Sequence, residues 1–221
     1  MPMNAQLAGM AKGNFPSVIP KTDQERAQNL VQEIVGAIEA GMKFEITEKL
    51  EGSSMTCYLI DGEFGVCSRN LDLKETEGNT FWYVARRDNI QAKMKIETDE
   101  YEDFAIQGEL IGPGIQGNIY KLSKPEFRVF DMYNIALGAF VTPKARCRYV
   151  EQLGLLHVPV LASAAKLHDT FIDAIPQLLK FAEGKSVMGM IGLEREGIVF
   201  KEVNGGMTFK AISNKYLLNE K

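Results

Sequence analysis

The sequence predicts an α+β fold of antiparallel β-sheets flanked by helices. Two observations carry that expectation. Asp61-Gly62 and Asn204-Gly205 each lie between strand-like apolar runs, and such dipeptides are strong hairpin signals because Gly accepts positive φ at no steric cost. Around these hairpins, other segments carry apolar residues at the helical period. The chain has 221 residues, enough for one large domain or two small ones with a sizeable core.

Taken in order, residues 1–20 read as an irregular lead-in ending at Pro20. Thr22-Asp23-Gln24-Glu25 has the pattern of a capping box. Ala27, Leu30, Val31, Ile34, Val35 and Ile38 then follow the helical period up to Gly41, which ends the helix. Lys21 and Arg26 are candidates to reach a phosphate from this region. Strands are expected at 43–47 and 55–60, with a loop holding Lys49 between them. Pairing outward from Asp61-Gly62 sets Ile60 opposite Glu63, Cys57 opposite Val66 and Ser54 opposite Arg69. That register would bring Ser68-Arg69-Asn70 to the mouth of the lysine loop.

Phe81-Trp82-Tyr83 marks the start of a helix, and Arg86-Arg87 through Lys93-Met94-Lys95 reads as one basic, mostly polar helix. A strand at 104–111 runs into the Gly/Pro loop 112–118. A carboxylate there, Glu109, must face a polar partner or water. Residues 127–133 form another strand, with Arg128 and Phe130 on one face. Thr142-Pro143 opens a helix that runs to Leu153. Asp169 to Ala182 is helical in period, interrupted or kinked at Pro176, and closed by Gly184. The last hairpin joins strands at 196–203 and 207–212. With a two-residue turn at Asn204-Gly205, Lys201 and Lys210 share one sheet face; a three-residue loop would part them.

Composition excludes several function classes. No apolar run approaches the ~20 residues of a membrane span, and the N-terminus lacks a signal-peptide pattern. Cys57, Cys67 and Cys147 form no metal-binding spacing, and their odd number fits reduced thiols in the cytoplasm. The net charge of −4 argues against a protein that coats nucleic acid nonspecifically, although it leaves room for a local basic groove. His157 and His168 lie in a weakly patterned region, so histidine-based catalysis is not expected.

A lone lysine at a strand end is ordinarily a solvated one. Lys49 differs because four later segments match it. Lys49-Leu50-Glu51-Gly52 resembles the Lys-x-x-Gly nucleophile motif of covalent nucleotidyltransferases, the ATP-dependent polynucleotide ligases and mRNA capping enzymes. Ser68-Arg69-Asn70 resembles their arginine motif, Phe127-Arg128-Val129-Phe130-Asp131 their aromatic strand motif, and Glu196-Gly197-Ile198-Val199-Phe200-Lys201 their Glu-Gly-hydrophobic motif. Lys210, in Phe209-Lys210-Ala211-Ile212, resembles their final lysine. Five motifs in order over residues 49–215 are far more specific than any one of them. Gly108-Glu109 with Gly112-Pro113-Gly114-Ile115-Gln116 is similar to nick-sealing RNA ligases of the second phage type. The lead-in 19–23 and the tail 213–217 look closer to the RNA ligases of Deinococcus and Naegleria. Where the final motif often reads Lys-x-Lys, Ile212 holds the second position, and Lys215 is the nearest substitute.

The resemblance implies a nucleotidyltransferase (adenylation) domain of ATP-grasp-like ligase architecture, as a single domain over 1–221 with neither an oligonucleotide-binding (OB) domain nor a C-terminal domain. An N-terminal OB-type domain or a partner protein would then come from outside this chain. It implies an ATP-dependent RNA ligase that joins 3′-OH and 5′-phosphate ends through lysyl-AMP and adenylylated RNA. The cofactors are ATP and Mg²⁺ or Mn²⁺, the partner is nicked or broken RNA, and the membrane has no part. The catalytic residues are Lys49, Arg69, Glu196 and Lys210. By the same resemblance Glu48, Lys49, Glu109, Phe130, Lys201 and Lys210 would bind ATP, and Glu196 would meet the metal through water. Glu109 would meet the ribose hydroxyls, Phe130 would stack on adenine, and Arg69 would contact the ribose or the incoming 5′-phosphate. Free lysine has a pKa of roughly 10.4, so on the order of one molecule in a thousand is nucleophilic at neutral pH. Nearby cations or a metal must favour the neutral amine. Rival expectations are a DNA ligase adenylation domain, a GTP-using capping enzyme, and a non-enzymatic nucleotide- or RNA-end-binding module.

Overall fold

The Asp61-Gly62 turn closes as its residues dictate. Both take positive φ, 51° and 75°, Ile60 pairs with Glu63 and Cys57 pairs with Val66. The computed structural model describes residues 9–96, 103–167, 175–189 and 191–219. In chain order its elements are β1 (Ala11–Asn14), α1 (Val31–Glu39), β2 (Lys43–Lys49), β3 (Ser53–Ile60), β4 (Glu63–Cys67) and β5 (Leu71–Leu73). Next come α2 (Thr80–Arg87), α3 (Ile90–Ile96), β6 (Phe104–Ile111), β7 (Glu126–Asn134), β8 (Ala139–Phe140) and α4 (Pro143–Gln152). Last are β9 (Leu156–His157), β10 (Val160–Lys166), α5 (Ile175–Ala182), β11 (Gly197–Glu202), β12 (Thr208–Ile212) and α6 (Asn214–Asn219). The chain divides into two compact units. One takes in the lead-in through Thr22, Gly52–Val141 and Ala145–His157; the other takes in Asp23–Glu51, Thr142–Lys144 and the chain from Val158 on.

The first unit is built on a sheet of order β1-β5-β4-β3-β6-β7-β8, with β9 beside β7. All its pairs are antiparallel except β7–β9. Alternation along β3 sends Met55, Cys57 and Leu59 into a core shared with Ile106, Val129 and helix residues such as Phe81 and Met94. The opposite face carries the row Ser54, Glu109 and Arg128, which are register partners across β3, β6 and β7. The lead-in crosses this face: Gln107 Nε2 donates to Pro20 O at 2.8 Å, and the Thr22 and Ser54 hydroxyls share a hydrogen bond of 2.6 Å.

A β-bulge shapes β7. Gln107 pairs with Asp131 and Gly108 with Val129, so Phe130 is the extra residue. The phase of burial shifts across it: Phe127 and Val129 face the core before the bulge and Met132 after it. Gly108 permits the close approach, since a Cβ there would lie 2.4 Å from Arg128 O.

The second unit holds a sheet of order β10-β2-β11-β12. Phe44 and Ile46, Ile198 and Phe200, and Phe209 and Ala211 turn one face into a core against Ile34 and Ile38 of α1 and Leu178 of α5. Phe200 and Phe209 stack with ring centroids 4.6 Å apart, and Phe44 meets both edge-on.

Several expectations are corrected. The lead-in is not wholly irregular, because Ala11–Asn14 pairs with β5. The capping box does not form. Ala27–Asn29 is a 3-10 turn and the α-helix begins at Val31, because Glu25 O accepts the backbone N–H of Lys210 at 2.8 Å and the preceding segment runs beside β12. Arg69 does not pair with Ser54: the β3–β4 ladder ends at Cys67 and the chain turns into β5, with Ser68 N bonded to Leu71 O at 2.9 Å. The single basic helix is two, broken at Asp88-Asn89 where Asn89 has φ 52°, and Ile90 and Met94 are buried rather than solvated. Pro176 lies in the first turn of α5, where its missing N–H costs nothing. The part of that helix expected at 169–174, like His168, lies outside the described residues. His157 is structural, its Nε2 accepting from Arg146 Nε at 3.0 Å.

Candidate active site

Alternation along β2 decides where its lysine goes. Phe44 and Ile46 face the core, so Glu45, Thr47 and Lys49 emerge on the other face. Lys49 is the last residue of the strand and pairs with Gly197 on β11. Gly197 has no room for a side chain, since a Cβ would lie 2.3 Å from Ala211 O. One residue earlier, Glu196 accepts a hydrogen bond from Lys49 Nζ through Oε1. The two side chains are 25% and 15% exposed, a partly desolvated ion pair rather than a surface one.

Backbone and helix-end contacts hold Glu196 in place. Ser213 N donates to its carbonyl at 2.9 Å. Its neighbour Arg195 spreads its guanidinium over the end of α5, donating to the carbonyls of Phe181, Ala182 and Glu183 at 2.8–3.0 Å. These are the carbonyls that a helix leaves without intrahelical donors.

Lys201 and Lys210 share Lys49's face, as the two-residue turn register requires: Lys201 pairs with Thr208 and Val199 with Lys210. Lys201 is also opposite Glu45, and both are buried. The Lys210 ammonium is pushed below the ordinary lysine range, first by burial and then by the charge of Lys49. Arg26 adds to this, while Asp23 and Glu196 oppose it. Ile212 stands on the same face, opposite Gly197. Lys215 lies on α6 with its ammonium 3.2 Å from Glu183, engaged with a different carboxylate.

Glu48 points to the opposite side from Lys49, is 1% exposed, and its carboxylate accepts from Ser186 Oγ and from Val187 N. Its side chain anchors the 186–188 turn.

The remaining candidates belong to the first unit. Glu109 and Arg128 are opposed on one face, and Phe130 is the bulged residue beside them. Arg128 also donates to Glu126 at 2.8 Å. Gly52 seats the end of the lysine motif against this sheet, because a Cβ there would lie 2.4 Å from Leu110 O and 2.9 Å from Glu109 Cγ. Arg69 is exposed in the turn after β4, and Lys21 donates to Asn70 in the same turn at 2.7 Å. Within the second unit the structure therefore groups Lys49, Glu196, Lys201 and Lys210. Local sequence patterns missed Arg195 and Tyr216; the one signal for Arg195 is a helix end that needs donors.

Among the described residues, no three His, Cys, Asp or Glu side chains converge as a metal cage, and no helix is long and apolar enough to cross a membrane.

A family model described as RNA ligase matches residues 42–216. A Naegleria gruberi RNA ligase structure with PPi is 41% identical, with a TM-score of 0.89, covering 99% of this chain and 63% of that one. A glutamate-to-alanine mutant of that enzyme with ATP and Mn gives the same identity, TM-score and coverages. Another such mutant, with AMP and Mn, is 42% identical with a TM-score of 0.87, covering 96% and 61%. The chain thus spans less than two thirds of the length of these relatives. No curated protein matches it. The family model takes in the lysine strand and both strands of the last hairpin, and the chain belongs to the RNA ligase family.

Proposed function

We propose that this chain carries the nucleotidyltransferase chemistry of an ATP-dependent RNA ligase, joining 3′-OH and 5′-phosphate ends. The observation that carries the reading is Lys49 bonded to Glu196 on a sheet face that also bears Lys201 and Lys210. Lys49 Nζ gives up a proton and its bond to Glu196, then attacks the α-phosphorus of ATP. An N–P bond forms, the bond to pyrophosphate breaks, and AMP is left on the lysine. The charge of Lys49 favours proton loss from Lys210. Lys201 and the charged form of Lys210 hold the phosphate oxygens, whose charge grows in the transition state.

The oxygen donor of Glu196 fits Mg²⁺ or Mn²⁺, which that carboxylate would hold through water together with the nucleotide. Such an ion, when bound, neutralises phosphate charge. Glu109 accepts from ribose hydroxyls, Phe130 stacks on adenine, and Arg69 holds the 5′-phosphate that receives AMP. The Naegleria structures with ATP, AMP, PPi and Mn support this assignment of ligands. An OB-type domain or a partner protein supplies further contact to the RNA. Cys57, Cys67 and Cys147 are reduced, the first two buried, which supports a cytoplasmic setting.

Intact mass after incubation with ATP and Mg²⁺ tests the proposal. One acid-labile AMP is expected on the wild type and none on Lys49→Met. An adduct on another lysine sinks the assignment.

A further inference from the structure

Beyond Lys49 the β2–β11 ladder stops, and Leu50 and Glu51 have no register partner on β11. The segment that follows the nucleophile is instead tied by side chains. Tyr216 OH, on α6, donates to Glu51 Oε2 at 2.5 Å. Tyr216 N donates to Ser213 Oγ at 3.2 Å, and Ser213 N donates to Glu196 O at 2.9 Å. Glu196 Oε1 in turn accepts from Lys49 Nζ. The bonds close a circuit that starts at Lys49, passes through its carboxylate and the tail helix, and returns two residues past the lysine. Ser213, at its centre, is fully buried.

We infer that Tyr216 is a positioning residue for lysine adenylation, which acts through Glu51 to fix the approach of Lys49 relative to Glu196. The inference rests on the RNA-ligase reading for its chemistry, though not for its geometry. In-line attack tolerates little misplacement: a shift of about 1 Å costs on the order of a hundredfold in rate. A phenol suits the task. Its ring is rigid with two torsions, and its hydroxyl makes a charge-assisted bond to a carboxylate. Tyr216 does not touch the reacting atoms, so its effect should fall on the rate of the chemical step rather than on ATP affinity.

The test uses Tyr216→Phe, Glu51→Gln and the double variant in the full chain. Tyr216→Phe keeps the ring and loses only the hydroxyl. Its single-turnover adenylation rate constant should fall about tenfold, as expected for one hydrogen bond to a charged group, with the KM for ATP within twofold of wild type. Glu51→Gln should fall similarly, and the double variant should be no slower than the slower single one, because both changes break the same link. Amide hydrogen exchange of the peptide covering residues 49–54 should rise in Tyr216→Phe. Unchanged rate and exchange, additive losses, or a lowered fraction of active protein at an unchanged rate constant would each overturn the inference. A wild type that takes up no AMP would instead overturn the RNA-ligase reading, and the exchange measurement would still decide whether Tyr216 holds the lysine segment.

Discussion

Lys49 faces Gly197 across the β2–β11 ladder, and Glu196, one step beyond the ladder, accepts a hydrogen bond from the Lys49 ammonium. A lysine and a carboxylate 147 residues apart in sequence are brought together by strand register, and in this arrangement the lysine is a hydrogen-bond donor. On the proposed function it would act as a nucleophile once the carboxylate turned to another cation.

Glu196 therefore has to supply negative charge, not merely an acceptor. Glu196→Gln keeps the shape and one carbonyl oxygen but loses the charge. Its rate of lysine adenylation should drop by about a hundredfold or more, close to that of Glu196→Ala. A Gln variant within threefold of wild type in single-turnover assays would remove the metal-linked role.

Lys210 makes the site sensitive to alkali. Its folded-state pKa lies below the ordinary value of 10.5, chiefly through burial. The folded state therefore releases this proton before the unfolded chain does. By the sign of linkage, Lys210 costs stability while charged, and the cost is relieved as pH rises towards 10.5. Thermal melts of wild type and Lys210→Met should converge or cross in that alkaline window, with Met favoured at lower pH. Adenylation should fall at alkaline pH as Lys210 loses its charge. In Lys210→Arg the falling limb should move to higher pH. An identical limb in that variant would show that another group is responsible.

Glu48 sits next to the nucleophile in sequence yet serves the fold. Its buried carboxylate takes Ser186 Oγ and Val187 N, so Glu48→Ala leaves two part-buried donors without their acceptor. A loss of about 1–3 kcal/mol in denaturant unfolding is expected, with the KM for ATP within threefold of wild type. A large change in KM at unchanged stability would restore Glu48 as a nucleotide contact.

RNA sealing should depend on more than this chain. Phosphate neutralisation dominates nucleic-acid affinity, at about −0.9 in log–log salt slope per phosphate on B-form DNA. The net charge is −4 and the Naegleria relatives are longer. With the 221-residue chain, self-adenylation should be efficient, while sealing of a pre-adenylated RNA nick should be slow with a shallow salt slope. Fast sealing that persists at moderate salt in single-turnover assays would show that this chain suffices.

What could be read from the sequence was what local chemistry determines. Asp61-Gly62 and Asn204-Gly205 set two registers, and the second put Lys201 and Lys210 on one face. The strand at Phe104–Ile111 was bounded by its own Gly/Pro loop. What could not be read depended on distant partners. The capping box at Thr22 lost to a bond between Glu25 and Lys210. Arg69 was placed by extending a hairpin ladder beyond its end, because nothing local shows that the β3–β4 ladder stops at Thr56 and Cys67. The Arg195 guanidinium caps a helix 13 residues away, and Tyr216 reaches Glu51 across 165.

Phe130 is the one residue of β7 whose loss would leave the strand in phase. Without it Val129 would still face Gly108, Asp131 would still face Gln107 and Met132 would still face Ile106. A deletion at a regular position of the ladder would instead act on the sheet as a frameshift acts on a message, sending the residues on one side of the gap to the wrong face. The bulge is an insertion that the sheet has absorbed, so the ring at 130 owes its place to an added residue rather than to the ladder.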